Sequence, residues 1–391
     1  MTRERPIRPL ELGRQYARIG REVDAAIRRV VESQQFVLGP EVEAFEEEFA
    51  AFCGSRFAIG CASGSDALLL ALLALEVGPG DEVICPGFSF VASASSIVHA
   101  GARPLIVDIE PASFLIDPER IREAVRGQRR IAALLPVDLF GQVSDMQACL
   151  AIADELGVPV VEDAAQAIGA VDHAGRRAGS GATLGCFSLY PTKNLGAFGD
   201  AGVVVTDDRR LAEEVRTLRC HGARTRYVHD RLGINSRLDE IQAAVLRVKL
   251  RHLESWTVQR EALAARYDAR FAEAGAVGSD KCFLDSALPL KTPRPAGSGA
   301  RHVYHQYCVR VPAALRESLR AHLADRGIAS EVYYPLGLHQ QPCFAGLGYR
   351  EGDLPETESA ARECLALPIH AELSCSELDR VVDCVIDFLS R

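Results

Sequence analysis

Apolar side chains recur at intervals of three and four residues near the start of the chain. The recurring positions are Leu12, Tyr16, Ile19, Val23, Ile27 and Val30. This spacing predicts a helix over residues 11–33 with one buried face. A second helix is predicted to begin at Gly39-Pro40, because proline suits the first helical turn and the acidic residues that follow favour the positive end of the helix dipole.

Short apolar runs then alternate with helix-length segments as far as residue 206. The runs that predict strands are residues 57–61, 82–85, 104–108, 131–135, 159–163 and 203–206. Repeated strand–helix units predict an α/β fold with a mostly parallel sheet covered by helices on both faces. Ligands of such sheets bind beyond the carboxyl ends of the strands.

The pattern changes in the last third of the chain. A long helix is predicted over residues 238–271, followed by strands at 303–311 and 330–334 and helices at 313–326 and 376–389. We therefore predict a large domain over residues 1–250, which includes the N-terminal segment, and a smaller C-terminal α+β domain over residues 251–391.

Composition excludes several classes of function. The 391 residues carry a formal charge of −9, which argues against general nucleic-acid binding. The most apolar run, residues 67–75, is far shorter than the roughly 20 residues of a membrane span, and no secretory signal follows the charged start. The twelve cysteines include no C-x-x-C pair, so no metal site is predicted. We interpret them as reduced thiols of a cytoplasmic protein that binds neither membrane nor nucleic acid.

One lysine stands between an apolar, extended stretch and a glycine-rich loop. Tyr190 precedes a proline, which disfavours the helical conformation at Tyr190. Three glycines follow Lys193 before residue 203. If neighbouring groups exclude water, the ammonium form of Lys193 is disfavoured and its amine becomes available for a Schiff base. The alternative is an ordinary exposed lysine in a surface loop.

Three further features fit the same chemistry. The stretch Ser63-Gly64-Ser65-Asp66 lies between a strand and a helix, where free amides and hydroxyls can bind phosphate. Asp163 ends a predicted strand, where a carboxylate can keep a pyridine nitrogen protonated. Phe90 could stack on a flat cofactor. Taken one by one, the first two are equally explained as helix caps and the third as core.

Together these features identify a family. The chain resembles the DegT-like nucleotide-sugar aminotransferases over nearly its full length. The stretches that carry the resemblance are SGSDAL (63–68), PGFSF (86–90), EDAAQ (162–166), FSLYPTKNLGAFGDAG (187–202) and GINSRLDEIQAA (233–244). It implies a fold-type I transferase that uses pyridoxal 5′-phosphate (PLP), with a large, mostly parallel sheet flanked by helices and a smaller C-terminal α+β domain.

The resemblance assigns roles around the cofactor ring. Lys193 would be the catalytic residue, forming the Schiff base and shuttling the proton. Asp163 would pair with the pyridinium, Gln166 would bond the region of the ring hydroxyl, and Phe90 would stack on the ring.

It also assigns the phosphate site. Backbone amides of Gly64 and Ser65, with the hydroxyls of Ser65 and Ser188, would hold the cofactor phosphate. Asn235 would reach the same phosphate from the neighbouring subunit. The resemblance therefore implies a homodimer with shared active sites.

The substrates implied are glutamate, as amino donor, and a nucleotide-linked keto-hexose carrying dTDP or UDP. Tyr-Pro before Lys193 and asparagine after it are similar to the branch that acts on 3-keto sugars. Substrate-binding residues would be Tyr190, Tyr333, Tyr334 and His339; many members carry histidine where this chain has Tyr333.

Several alternatives stay open. Tyr333 and His339 could simply pack at a domain interface, and the chain could be a 4-keto-sugar aminotransferase or a non-catalytic regulatory relative. A PLP-dependent sugar dehydratase on this fold would carry histidine in place of Lys193, so the lysine argues against it.

Overall fold

Seven strands build the central sheet of this computed structural model, which describes residues 5–127, 130–293, 297 and 299–391. They are β1 (Phe57–Cys61), β2 (Glu82–Pro86), β3 (Arg103–Val107), β4 (Ile131–Leu134), β5 (Val161–Asp163), β6 (Leu184–Ser188) and β7 (Gly202–Thr206). Two hydrogen-bonded ladders, β3-β2-β4 and β5-β6-β7-β1, are joined by parallel bridges of Leu134 to Val160 and Val137 to Asp163. Only β7 runs antiparallel to its neighbours. The predicted mostly parallel sheet is confirmed.

In the described part of the chain, eight α-helices precede residue 251. They are α1 (Leu12–Ser33), α2 (Pro40–Cys53), α3 (Gly64–Ala74), α4 (Ala92–His99), α5 (Pro118–Ala124), α6 (Met146–Leu156), α7 (Arg209–Leu218) and α8 (Glu240–Leu250). The first two begin within a residue of their predicted starts. A short hairpin, β8 (Ala223–Thr225) with β9 (Val228–His229), precedes α8.

The C-terminal part contains a second, four-stranded sheet in the order β10-β11-β12-β13. Its strands are β10 (Val277–Gly278), β11 (Lys291–Thr292), β12 (Tyr307–Arg310) and β13 (Cys364–Leu367), and its helices are α9 (Leu253–Glu273), α10 (Ala313–Asp325), α11 (Pro355–Glu363) and α12 (Cys375–Leu389). Side chains of α9, α10 and α12 form a core of their own with β12 and β13. The division at residue 250 remains a prediction.

Three predicted elements are corrected. The long helix over residues 238–271 is wrong, because α8 ends at Leu250 and α9 begins at Leu253. α8 packs on α1 and α2, and the start of α9 joins the same cores through Leu253 and Trp256. The later part of α9, from Leu263 to Phe271, packs with the C-terminal sheet instead. The strand over residues 303–311 is shorter than predicted and starts at Tyr307, because side chains rather than a neighbouring strand bind the carbonyls of Val303 and Tyr304.

The predicted strand over residues 330–334 is also wrong. Only Glu331 pairs with the sheet, through a single bridge to Ala366. The chain then leaves the sheet, and the hydroxyl of Tyr334 accepts a hydrogen bond from Gln166, which follows β5. Among the described residues, no helix is long and apolar enough to cross a membrane.

Candidate active site

A cavity of about 440 Å³ lies at the carboxyl ends of β5 and β6, within the size range of small-molecule sites. Ten of the twelve residues predicted for the site line it: Gly64, Ser65, Phe90, Asp163, Gln166, Ser188, Tyr190, Lys193, Tyr333 and Tyr334. The prediction that ligands bind beyond the strand ends therefore agrees with where the cavity lies.

The floor of one end of the cavity is a cradle made by Ser63–Ser65 and Ser188. Ser63 caps α3, its hydroxyl accepting from the amide of Asp66 at 3.1 Å. The next residue must be glycine, because a Cβ at Gly64 would lie 2.6 Å from the Cβ of Ser188. Gly202 of β7 is equally constrained: a Cβ there would lie 2.3 Å from the carbonyl oxygen of Ser63. The main chain at the N-terminus of α3 is therefore in close contact with Ser188, at the end of β6, and with Gly202, at the start of β7.

Lys193 follows a tight turn that starts at Tyr190. Its amide donates to the carbonyl of Tyr190 at 2.8 Å, and the loop returns so closely that a Cβ at Gly196 would lie 2.4 Å from the carbonyl oxygen of Pro191. Burial lowers the pKa of the Lys193 amine to about 8, and the negative charge of Asp163 partly opposes this shift. The amine is therefore partly neutral near physiological pH.

Asp163 is the last residue of β5 and is only 4% exposed. One carboxylate oxygen accepts from the hydroxyl of Ser93 at 2.7 Å and the other from the amide of Ala165 at 3.2 Å. Burial raises the pKa of this carboxyl, while both hydrogen bonds and the nearby Lys193 lower it. The structure describes all of residues 164–183 and has no helix in them, so the helix-cap interpretation of Asp163 is wrong.

Gln166 and Tyr334 form a fixed pair at the cavity wall. The side-chain oxygen of Gln166 accepts from the amide of Phe140 at 2.8 Å, and its nitrogen donates to the hydroxyl of Tyr334 at 3.1 Å. Phe90 lies above this pair, its ring centroid 6.0 Å from that of Tyr334. Because Phe90 is 53% exposed, it is not a core residue, and its ring is free to stack on a ligand.

Two predicted site residues lie outside this cavity. His339 is buried, and its Nε2 lies 3.2 Å from a carboxylate oxygen of Glu358, so its side chain packs inside the protein. Asn235 is exposed and follows the β8–β9 hairpin, in which Tyr227 is 80% exposed. Its neighbour Ser236 donates to Asp66 at 2.7 Å, which ties this segment to the start of α3.

Sequence reasoning missed several cavity residues. Ser93 and His305 line or support the site, yet they stand in stretches without a glycine-rich or acidic signal. Lys249 was missed too: the residue is 2% exposed, and its amine donates to the carbonyl of Gly196 in the lysine loop at 2.6 Å. A lysine on the apolar face of α8 was the available signal, because buried lysines are rare.

The cavity fits pyridoxal phosphate in its chemistry. Among the described residues, the amides of Gly64 and Ser65 have no hydrogen-bond partner, so they can donate to a phosphate. From the described residues, the carboxylate of Asp163 accepts two hydrogen bonds, which leaves lone pairs for a ring N–H. An amine, an anion cradle and an anchoring carboxylate thus share one cavity. Among the described residues, no group of three or more potential ligands is placed to hold a metal ion.

Comparison with known proteins agrees with this arrangement. The profile of the DegT/DnrJ/EryC1/StrS aminotransferase family matches residues 17–386. The chain is 46% identical over 379 residues to a protein of Geobacillus stearothermophilus called pleiotropic regulatory protein, and the match covers 97% of each chain. It is 44% identical over 382 residues to dTDP-3-amino-3,4,6-trideoxy-alpha-D-glucose transaminase of Streptomyces venezuelae, covering 98% of this chain and 96% of the other.

The fold is also shared with a solved structure. The crystal structure of S. venezuelae DesV in complex with a ketimine intermediate has a TM-score of 0.92 to this chain at 44% sequence identity, and the match covers 99% of both chains. The likeness therefore extends through both sheets.

Proposed function

The chain belongs to the DegT/DnrJ/EryC1/StrS aminotransferase family, and we propose that it moves an amino group from glutamate to a nucleotide-linked keto-hexose with pyridoxal 5′-phosphate as cofactor. The acceptor is a 3-keto sugar carried by dTDP or UDP. The predicted family is confirmed, whereas the cofactor, the substrates and the individual residue roles are proposals.

One observation carries this proposal: an amine with a pKa near 8 and a buried carboxylate face the same cavity, beside a cradle of free amides. A surface lysine would be exposed and protonated at neutral pH. Lys193 is instead held by a tight turn next to Asp163, which matches what a Schiff-base lysine requires.

Each residue has a distinct task in this proposal. When bound, pyridoxal phosphate supplies an electron sink that weakens the bonds at the carbon next to nitrogen. Asp163 would hold the proton on the ring nitrogen, and Gly64, Ser65 and Ser188 would bind the phosphate. The Nζ of Lys193 would accept the proton that leaves the amino-bearing carbon and would return it to the carbon on the other side of the same nitrogen. Phe90 and Gln166 orient the ring and keep water away from one face.

The acceptor is proposed from the relatives and from the lysine loop. A relative that matches nearly the whole chain is named as a transaminase of a dTDP-linked 3-amino sugar. The proposed substrate contacts are Tyr190, half-exposed at the cavity, and Tyr333 and Tyr334, which line the same cavity. His339 is proposed only as support for that wall, through Glu358 and the segment that follows Tyr334.

A homodimer is part of the proposal. Asn235 lies outside the cavity of its own chain and next to an exposed hairpin, where Leu232 is 97% exposed. We propose that this segment completes the phosphate site of a partner subunit.

A cytoplasmic location fits the twelve free cysteines, because disulfides are rare in reducing compartments.

A regulatory role is the second candidate, because one similar protein is named as a pleiotropic regulatory protein. The complete set of Lys193, Asp163, Gln166 and Ser188 favours catalysis, since a purely regulatory protein has no use for an amine of lowered pKa. A 4-keto acceptor remains the alternative within the family.

Two measurements test the proposal. Purified protein supplied with pyridoxal phosphate should be yellow, and the colour should bleach when glutamate is added. The bleached enzyme is then offered dTDP- and UDP-linked 3-keto and 4-keto sugars, and NMR of the product locates the new amine. A protein that stays colourless would favour the regulatory role, and an amine at position 4 would contradict the proposed acceptor.

A further inference from the structure

Asn194, the residue after Lys193, binds a segment that precedes β12 and lines the cavity through His305. Its side-chain nitrogen donates to the carbonyl of Val303 at 3.1 Å, and its side-chain oxygen lies 3.0 Å from Nδ1 of His305. On the other side of the segment, Arg260 donates to the carbonyl of Tyr304 at 3.1 Å. Residues 303–305 are therefore held from two directions.

These contacts decide which nitrogen of His305 carries the proton. The carbonyl of Val303 can only accept, so the amide nitrogen of Asn194 must face it. The amide oxygen is then left for His305, and an oxygen can only accept. Nδ1 of His305 must therefore carry the hydrogen, and in a neutral ring Nε2 keeps its lone pair.

The ring of His305 is neutral and faces the cavity. Burial, with the positive charges of Lys193 and Arg260, holds the pKa of His305 well below its usual range. The ring lines the cavity that contains Lys193 and also an adjoining smaller cavity of about 240 Å³. Among the described residues, Nε2 has no hydrogen-bond partner.

We propose that Nε2 of His305 accepts a hydrogen bond from a ring hydroxyl of the acceptor sugar, and that Asn194 fixes the histidine for this role. The inference rests on the proposed function and names a further substrate-binding residue for it. Asn194 is a positioning residue, because it acts through His305.

The chemistry of the acceptor selects a hydroxyl rather than another group. A nitrogen lone pair repels carboxylates and phosphates, so neither the donor carboxylates nor the diphosphate suits this position. The amino group of the donor must reach the reacting centre near Lys193. The hydroxyls of the hexose are the remaining hydrogen-bond donors that a fixed, neutral acceptor can recognise.

Two substitutions of His305 test the roles of its two ring nitrogens separately. His305→Asn keeps an amide that can donate near the Nδ1 position, where Asn194 is bound, and removes the acceptor at Nε2. His305→Gln places its amide near the Nε2 position and gives up the bond to Asn194. For each variant, the rate constant kcat/KM of the keto-sugar half-reaction is divided by that of the glutamate half-reaction. The ratio should fall about tenfold in His305→Asn, as expected for one lost hydrogen bond, and less in His305→Gln.

Deoxygenated sugars identify the hydroxyl. For the wild-type enzyme, kcat/KM should be about tenfold lower with the analogue that lacks the recognised hydroxyl than with the parent sugar. The His305→Asn variant should give the same kcat/KM with both sugars. A second readout needs no cofactor: calorimetry of the cofactor-free protein with the nucleotide sugar should show about tenfold weaker binding in His305→Asn.

The outcomes separate this inference from the function it rests on. An unchanged ratio and unchanged binding in His305→Asn, with active wild-type enzyme, would overturn the role of His305 alone. Equal losses in both variants would also overturn it, because they indicate a purely structural side chain. A wild-type enzyme that bleaches with glutamate but aminates no keto sugar would overturn the proposed acceptor and this inference together.

Discussion

The amine of Lys249 donates a hydrogen bond of 2.6 Å to the carbonyl oxygen of Gly196, three residues beyond Lys193. Lys249 lies on α8, two helical turns after Gln242, whose side-chain oxygen accepts from the amide of Phe198 at 2.8 Å. One face of one helix thus binds both a carbonyl and an amide of the lysine loop. Lys249 also lies over the ring of Phe198, at 4.9 Å from its centroid.

We expect Lys249→Met to loosen the lysine loop with little change in global stability. Burial lowers the pKa of Lys249 from 10.5 to about 8, so removing the charge returns roughly 3 kcal/mol at neutral pH. Leaving the carbonyl of Gly196 without a donor costs about 1–3 kcal/mol. Because these effects oppose each other, the readout must be local: amide hydrogen exchange at Ala197 and Phe198 should accelerate.

Lys281→Met is the matched control, because Lys281 is exposed. It should change neither the exchange of those amides nor the melting temperature. Unchanged exchange in Lys249→Met would show that the loop holds its shape without this hydrogen bond.

The reactivity of Lys193 should follow an unusual pH dependence. Its pKa lies near 8, so the neutral, reactive fraction rises as the pH increases through 8 and is nearly complete above 9. A lysine with an ordinary pKa continues to gain reactivity up to about pH 10.4. Reductive methylation of the cofactor-free protein, followed by peptide mass spectrometry, can follow Lys193 separately, since the chain has only four lysines.

The same experiment tests the influence of Asp163. Its negative charge raises the pKa of Lys193, so Asp163→Asn should move the midpoint of Lys193 labelling to lower pH. A midpoint near 10 in the wild-type protein would contradict the buried environment of the amine.

Asp163→Asn should reduce transamination by orders of magnitude while cofactor remains bound. Ser93 and the amide of Ala165 both donate to the carboxylate, and asparagine has one oxygen to replace two. The amide also lacks the negative charge that holds a proton on a ring nitrogen. Steady-state kinetics and a cofactor titration measure the two effects separately. Asp154→Asn, on the exposed face of α6, is the control, and a loss below about tenfold, 1.4 kcal/mol in barrier, would limit Asp163 to a structural role.

Gly64→Ala should weaken cofactor binding by tenfold or more. The added Cβ would lie 2.6 Å from the Cβ and 2.9 Å from the Cα of Ser188, so the end of β6 must move. Overpacking of this kind costs about 1–3 kcal/mol. Fluorescence titration gives the dissociation constant for pyridoxal phosphate, and thermal melting gives the stability. Gly346→Ala is the control, because a Cβ there meets nothing within 4 Å.

The shared site can be tested by mixing two inactive variants. Lys193→Ala removes the amine, and Asn235→Glu places a negative charge where the partner's phosphate is proposed to bind. Each homodimer should be inactive. In a heterodimer one site carries both defects, while the other combines a native Lys193 from one chain with a native Asn235 from the other.

Activity should therefore return when the two proteins exchange subunits, up to about half of the wild-type value for each heterodimer. Native mass spectrometry verifies the exchange. If heterodimers form and no activity returns, Asn235 serves its own subunit or has no part in the site.

Elements and site residues that are determined by their neighbours in the sequence could be predicted. The strand over residues 57–61 has the predicted ends, because apolar β-formers and a following serine cap are adjacent signals. Gly64, Asp163 and Lys193 were found for the same reason: each lies at a strand end or in the loop that follows one, with its own local motif, and all three line one cavity.

Features that depend on distant packing were not predictable. Ser93 bonds Asp163, and Asn194 bonds His305, but neither pair has a sequence signal. The segment 330–334 has strand-like residues, yet Tyr334 is drawn to Gln166 and the ladder stops after Glu331. His339 illustrates the reverse case: a histidine in a functional-looking stretch is buried against Glu358.

The position of β7 between β1 and β6 has a consequence for the order of events during folding. The contact between Gly64 and Ser188 joins the ends of two strands that do not touch each other, so it exists only after the antiparallel strand has entered between them. An unfolded or half-assembled chain has no such anion pocket. A ligand that binds there stabilises only the completed sheet, and its affinity thereby reports whether β7 is in place between β1 and β6.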